Sequence, residues 1–281
     1  MAYLSPTRWE DAFAALAQGE ATLIAGGTDW FAQDRAGGAL PRLLDVTGLP
    51  GCRGISRSGD QWRIGAATSW TEVILADLPP AFAALKAAAR EVGSPQIQNA
   101  GSVAGNLCNA SPAADGVPPL LVLRASVEIA SSQGRRALPL AEFITGARRT
   151  ALKPGEIVSA LLIPDPELAA RSGFYKLGSR RYMVISIAMV AILLGVEGGL
   201  ASTVRIAVGA CSPVAQRLEQ LERDLLGWRP GQAMPPITAA HLAPLAPIDD
   251  IRASAAYRLD SLRVIIPRLL TDLADLTGQG A

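Results

Sequence analysis

The sequence predicts an α+β protein in two parts. Three observations carry that reading. Short apolar runs and stretches of helical periodicity alternate from residue 22 to residue 163. A segment with two prolines and mixed charge, Pro164–Ser172, interrupts them as a boundary. Beyond it come strand-like runs and then only helical ones, the pattern of a small antiparallel sheet with a helical cluster. The expected domains are 1–170, subdivided near 53/54, and 171–281.

Taken in order, Ser5–Pro6–Thr7 opens a capped amphipathic helix over Arg8–Gln18, with Trp9, Ala12, Phe13 and Leu16 on one face. Leu23–Ala25 is a short strand that breaks at Gly26–Gly27. A helix around Trp30–Arg35 follows, capped by Thr28 or Asp29, and Leu43–Asp45 completes a βαβ-like order. From Gly54 to Ala67, Ile55, Trp62 and Ile64 alternate with polar residues as short strands do. Thr68 or Ser69 begins a helix through Leu75, and Ala-rich Phe82–Val92 is another after Pro79–Pro80. Val127–Ala130 and Arg136–Leu138 form a hairpin turning near Gln133–Gly134, and Glu156–Ile163 is a further strand. In the second part Gly173–Gly178, Ser186–Val196 and Thr203–Gly209 are strands, the last two paired through the turn Glu197–Gly199. Val214–Leu226, Thr238–Leu245 and Ala253–Leu273 are helices.

Composition narrows the function classes. At 281 residues and net charge +1, nothing favours nucleic acid or an anionic membrane as partner. Charged residues are 18% and apolar ones 49%, so apolar surface is either tightly packed or covered by partner subunits, and the second is preferred. The most apolar run, Met183–Leu194, is shorter than the roughly 20 residues of a membrane span. MAYLSPTRWEDAF lacks the basic start and apolar middle of a signal peptide, which points to a cytoplasmic chain. Cys52, Cys108 and Cys211 are isolated, with no iron–sulfur or zinc spacing. The single histidine, His241, is read as a surface or capping residue, and Trp30, Trp62 and Trp70 as core or interface.

The chain is organised around GSPQIQNAGSVAGNLCNASPAADGVPPLLVL, Gly93–Leu123. Its small residues and Pro95, Pro112, Pro118 and Pro119 rule out a long helix or a regular central strand. In Gly101–Ser102–Val103–Ala104–Gly105–Asn106 small residues would bring main-chain N–H groups close to an anion, with Ser102 and Asn106 adding side-chain donors. A tight internal turn between buried strands is the alternative. A second Gly-centred bend, Ile24–Ala25–Gly26–Gly27–Thr28–Asp29, also follows apolar residues, and the two could close on one diphosphate from opposite sides. Neither G-x-G-x-x-G nor G-x-x-x-x-G-K-[ST] accounts for them.

AGGTD at Ala25–Asp29 and QNAGSVAGNLCNASPAAD at Gln98–Asp115 resemble the signature of the FAD-binding (medium) subunits of molybdenum hydroxylases. These include xanthine dehydrogenases, aldehyde oxidoreductases and aerobic carbon monoxide dehydrogenases. The resemblance continues through FYKLGSRRYMVISIAMVAILL, RIAVGACSPVAQRLEQLE and DDIRASAAYRLDSL, in order over nearly the whole chain. It departs at Ala104, where Gly is commoner in the family, and at Gln98, often Arg. It implies a PCMH-type (vanillyl-alcohol-oxidase-like) FAD-binding fold in two subdomains, with a C-terminal domain of the carbon monoxide dehydrogenase flavoprotein type.

By that resemblance, the cofactor-binding residues are Ile24, Ala25, Gly26, Gly27, Thr28, Asp29, Gly101, Ser102, Val103, Ala104, Gly105, Asn106, Ser111, Asp115 and Lys176. Asp115 accepts a hydrogen bond from a sugar or ribityl hydroxyl, and Lys176 lies near the flavin ring. Otherwise Asp29 is an N-cap, Asp115 and Ser111 are turn residues, and Lys176, Arg180 and Arg181 form a solvated or subunit-facing charge cluster. The implied partners are a large subunit with a molybdenum cofactor and a small subunit with two [2Fe–2S] clusters, as an (αβγ)2 hexamer. NAD, oxygen or a quinone would take the electrons. A stand-alone flavin oxidase or reductase of the same fold and a non-enzymatic interaction module are the other classes.

Overall fold

The computed structural model describes residues 2–19, 21–32, 41–167 and 170–278. The chain begins with β1 (Tyr3–Leu4), α1 (Trp9–Ala17), β2 (Thr22–Ile24) and β3 (Leu43–Asp45). Next are β4 (Ile55–Ser58), β5 (Gln61–Gly65), α2 (Trp70–Leu75) and α3 (Ala83–Glu91), the last entered through a 3-10 turn at Pro80–Phe82. The Gly-rich stretch holds α4 (Pro95–Ala100), α5 (Val103–Asn109) and α6 (Val117–Val122). After it come β6 (Ser126–Ser131), β7 (Gly134–Pro139), α7 (Leu140–Phe143), β8 (Ile144–Gly146), β9 (Arg149–Thr150) and β10 (Ile157–Pro164). The rest is β11 (Arg171–Leu177), β12 (Ala188–Glu197), β13 (Leu200–Gly209), β14 (Gln216–Arg217), α8 (Glu219–Asp224), α9 (Ala239–Leu242) and α10 (Ala255–Gly278).

Several expectations are corrected. Residues 28–32 are turn, closed by the Phe31 N–H on Gly27 O at 2.8 Å, so no helix follows the Gly pair there. Residues 33–35 of that expected helix lie outside the described residues. The cap expected from Ser5–Pro6–Thr7 is absent: Arg8 precedes α1 and makes no side-chain capping bond. Val214–Leu226 is not one helix, because Gln216–Arg217 pairs with β13 first. No long helix forms in 93–123, yet its prolines do not exclude short ones. Pro95 starts α4, and Pro118 and Pro119 sit in the first turn of α6, where a missing N–H leaves no bond unmade.

The structure comprises two compact units whose segments interleave along the chain. One is Met1–Ala76, Ser94–Ala110 and Ala125–Pro164; the other is Asp77–Gly93, Ser111–Arg124 and Asp165–Ala281. The first holds a parallel sheet, β1-β3-β2, and an antiparallel one, β4-β5-β10-β6-β7. Ala12 and Ala15 of α1 pack with Leu44, Val46, Leu49 and Cys52. Ser69 caps α2 through a capping box with Glu72, as the sequence suggests.

The second unit is the antiparallel sheet β11-β12-β13-β14 with helices on both faces. β12 is buried from Ala188 to Gly195, so it cannot show the alternation of a half-exposed strand. Ala188, Val190, Ile192 and Leu194 join Leu262, Ile266 and Leu270 of α10 in one core. The other face meets α3 and α6: the Ser172 hydroxyl of β11 accepts from Ala84 N at 2.8 Å, and Met189 lies beside Gly209, as does Pro118.

Candidate functional site

The first unit brings the two predicted bends together. Ile24, 6% exposed, ends β2, and Ala25–Gly26–Gly27 turn away from it. A Cβ placed on Gly26 would stand 1.7 Å from the carbonyl oxygen of Ala100, so only glycine permits this approach. Gly27 has φ +68°, which also favours glycine. Asp29 accepts from Asn109 Nδ2 at 2.8 Å. Trp70, fully buried, lies under Gly101, which Thr28 Oγ1 also flanks.

The bends differ in what they offer. Among the described residues the N–H groups of Gly26, Gly27, Thr28 and Asp29 meet no acceptor. In the second bend the Gly101 N–H goes to Ile97 O, Val103 to Thr68 O, Ala104 to Ala66 O and Asn106 to Ser102 O. The Gly105 N–H goes to Ser102 Oγ at 3.1 Å, and among the described residues the Ser102 N–H meets no acceptor. The amides expected to reach an anion from 103–106 are therefore spent inside the protein. They anchor the bend to the Ala66–Thr68 segment, and its remaining polar capacity is in side chains. Asn106 Oδ1 is one: it is buried and meets no donor among the described residues. A buried acceptor left open is costly and calls for a partner. Free amides on one bend suit a diphosphate, an open acceptor on the other suits a hydroxyl donor, and with the close approach that Gly26 permits they fit a dinucleotide, which carries both.

The second unit holds the other predicted residues. Ser111 Oγ accepts from Ala113 N at 3.3 Å, the turn role weighed for it. Asp115 and Lys176 pair at 2.7 Å, with side chains 10% and 7% exposed. Ser186 Oγ donates to the other Asp115 oxygen at 3.1 Å, and Lys176 Nζ also donates to Glu91 O at 3.3 Å. Lys176 is thus not part of a solvated cluster with Arg180 and Arg181. Burial pushes the Asp115 carboxyl up, against the opposing effect of Lys176 and Ser186. His241 is buried rather than on the surface, and its Nδ1 accepts the Thr238 N–H, which is the capping role.

Three residues that complete these networks escape sequence reading. Asn109 sits in the quoted motif, but only its contact with Asp29, 80 positions away, gives it a role. Arg148 donates to Asn109 O and Oδ1 from a loop with no motif of its own. Ser186 is the start of an apolar run to any periodicity count.

The comparisons with known proteins identify the family. A model of the FAD binding domain in molybdopterin dehydrogenase matches residues 1–166, and one of the CO dehydrogenase flavoprotein C-terminal domain matches 173–273. The chain is 31% identical over 264 residues to the putative xanthine dehydrogenase FAD-binding subunit of Escherichia coli (strain K12), covering 92% of this chain and 90% of that one. It is 30% identical over 269 residues to the nicotinate dehydrogenase FAD-subunit of Eubacterium barkeri, covering 90% and 88%. The solved structure of carbon monoxide dehydrogenase from Hydrogenophaga pseudoflava matches with a TM-score of 0.85 at 27% identity, over 99% of this chain and 98% of that one. With both family models matched in order and both relatives covered almost end to end, this chain belongs to the FAD-binding flavoprotein subunits of the molybdenum hydroxylase family, a group of oxidoreductases.

Proposed function

We propose that the chain is the electron-transfer flavoprotein of a three-subunit molybdenum hydroxylase. It would take electrons from [2Fe–2S] clusters of a small subunit and deliver them to an external acceptor such as NAD, oxygen or a quinone. A large subunit with the molybdenum cofactor would oxidise the substrate, in an (αβγ)2 assembly in the cytoplasm. The observation that carries this reading is the meeting of the two bends at Gly26 and Ala100, with four neighbouring amides that meet no acceptor among the described residues.

In this reading the N–H groups of Gly26, Gly27, Thr28 and Asp29 hold the diphosphate, and Ile24 and Ala25 aim them from β2. Gly101, Val103, Ala104 and Gly105 admit the cofactor closely, and Ser102 and Asn106 bond to it through side chains. Ser111, Asp115 and Lys176 are the remaining contacts. Bound FAD supplies a centre that can receive electrons singly and release them in pairs. The protein's share is to bind and orient, a task that needs no nucleophile or general base. Neither bend contains a histidine or a lysine.

Native purification tests the proposal. Flavin and iron–sulfur absorbance with two co-purifying chains is the expected result. A colourless chain that takes up no FAD would overturn it.

A further inference from the structure

We propose that Arg258 is a positioning residue for the loop that carries Ser111 and Asp115. The inference rests on the reading of Asp115 as an FAD contact. Arg258 lies one turn into α10 and is 2% exposed, although a buried guanidinium is costly unless acceptors compensate its charge. Its Nη1 donates to the carbonyl oxygens of Ile187 and, at 3.1 Å, Ala210. Its Nη2 donates to Asp250 Oδ1 at 2.8 Å.

The two carbonyls are what give this arrangement meaning. Ile187 follows Ser186, whose hydroxyl donates to Asp115 Oδ1. Ala210, held at φ +61° just after β13, donates its own N–H to Pro112 O at 3.0 Å. Arg258 therefore grips the backbone at two points, each one step from the loop, near its start and near its end. Lys176 takes the second Asp115 oxygen. A planar fork reaching two carbonyls and a carboxylate is a task for arginine, since a lysine ammonium on a flexible stem cannot present it. Nε has no partner among the described residues, so the guanidinium is placed by these three acceptors and not by full satisfaction of its donors.

The test uses the full chain with FAD, following flavin fluorescence for affinity and amide exchange for loop order. Arg258→Met is expected to weaken FAD about tenfold, the effect of one lost charge-assisted hydrogen bond. It should also speed exchange at Ala114 and Ala210, whose N–H groups bond to Ser111 O and Pro112 O. Arg258→Lys, which keeps the pair with Asp250, should fall between Met and the native residue and serves if Arg258→Met does not fold. Arg258→Met/Asp115→Asn should lose less FAD affinity than the two single losses summed, because both act in part through one carboxylate. Unchanged affinity in both Arg258 variants, or losses that add in the double variant, would overturn the proposal. If Asp115→Asn leaves affinity untouched, the FAD contact at Asp115 fails. The clamp is then judged by exchange alone, faster upholding it and unchanged overturning it.

Discussion

At Gly26 a single hydrogen atom decides whether the two bends can meet. Any Cβ there overlaps the Ala100 carbonyl at 1.7 Å, and backbone cannot rotate away as a side chain can. Gly26→Ala is therefore expected to lose FAD and to cost about 1–3 kcal/mol of stability, read by flavin content and chemical denaturation. Full FAD content in this variant would remove the bends from the cofactor site. Asn106 provides the opposite test. Its buried Oδ1 has no donor among the described residues, so Asn106→Leu should hold or raise the stability of the FAD-free chain, since an unpaired buried polar group costs about 1–3 kcal/mol. The same variant should bind FAD less well. Lower FAD-free stability with unchanged affinity would make Asn106 a structural residue.

The Asp115–Lys176 pair sets a pH dependence. Burial raises the Asp115 carboxyl above its ordinary value even with Lys176 beside it. A raised folded-state value means the folded protein binds this proton more tightly than the unfolded chain. The group's contribution to stability is then greatest below the ordinary carboxylate range and declines as pH rises through the folded value. Lys176→Met strands the buried carboxylate and should cost about 3–5 kcal/mol near neutrality, less in mild acid where Asp115 takes a proton. Denaturation curves across pH 4–8 check this, and a penalty independent of pH would sink it. These residues differ in how readable they were. The glycines, Ser102 and Asp115 stood in contiguous motifs, whereas Arg148 and Arg258 act through carbonyl groups far away in sequence, which no spacing records.

Among elements, the antiparallel sheet β4-β5-β10-β6-β7 is tied by Glu128. One of its oxygens accepts from Arg63 at 2.9 Å, Arg135 at 2.6 Å and Ser159 at 2.6 Å, joining four adjacent strands, β5, β10, β6 and β7. Burial pushes the Glu128 carboxyl up, but Ser159, Arg63 and Arg135 outweigh it and hold it below the ordinary range. A depressed value contributes stability above the ordinary carboxylate range that is lost as pH falls through the folded value. Glu128→Gln should flatten the acid limb of the first unit's unfolding curve, and an unchanged limb would count against the hub. The elements also show where local signals suffice. The hairpin β6–β7 and the capped start of α2 form as their own residues prescribe. The strand at Gln216–Arg217 breaks a helical pattern because the edge of β13 offers it pairing, a fact outside its own segment.

For the molecule as a whole, interleaving is the consequential feature. The helices α3 and α6 that cover one face of β12 come from residues 77–93 and 111–124, ahead of the strands they protect. A fragment of residues 167–281 lacks them and should expose that apolar face, aggregate and bind a hydrophobic dye, with rescue by co-expressed residues 1–166. A monomeric fragment that unfolds cooperatively would refute this dependence.

By itself the sequence determined the α+β class, most strands and helices, the two Gly-centred bends and, through resemblance, the flavoprotein family. Those rest on local periodicity and on motifs that lie within a few residues. Only the tertiary structure decided that Gly26 seats against Ala100, that the second bend consumes most of its amides, and that Asp115, Lys176 and Ser186 form one buried network. Such facts depend on which distant backbone groups are left to be satisfied once the chain has packed, and that is a property of the folded whole.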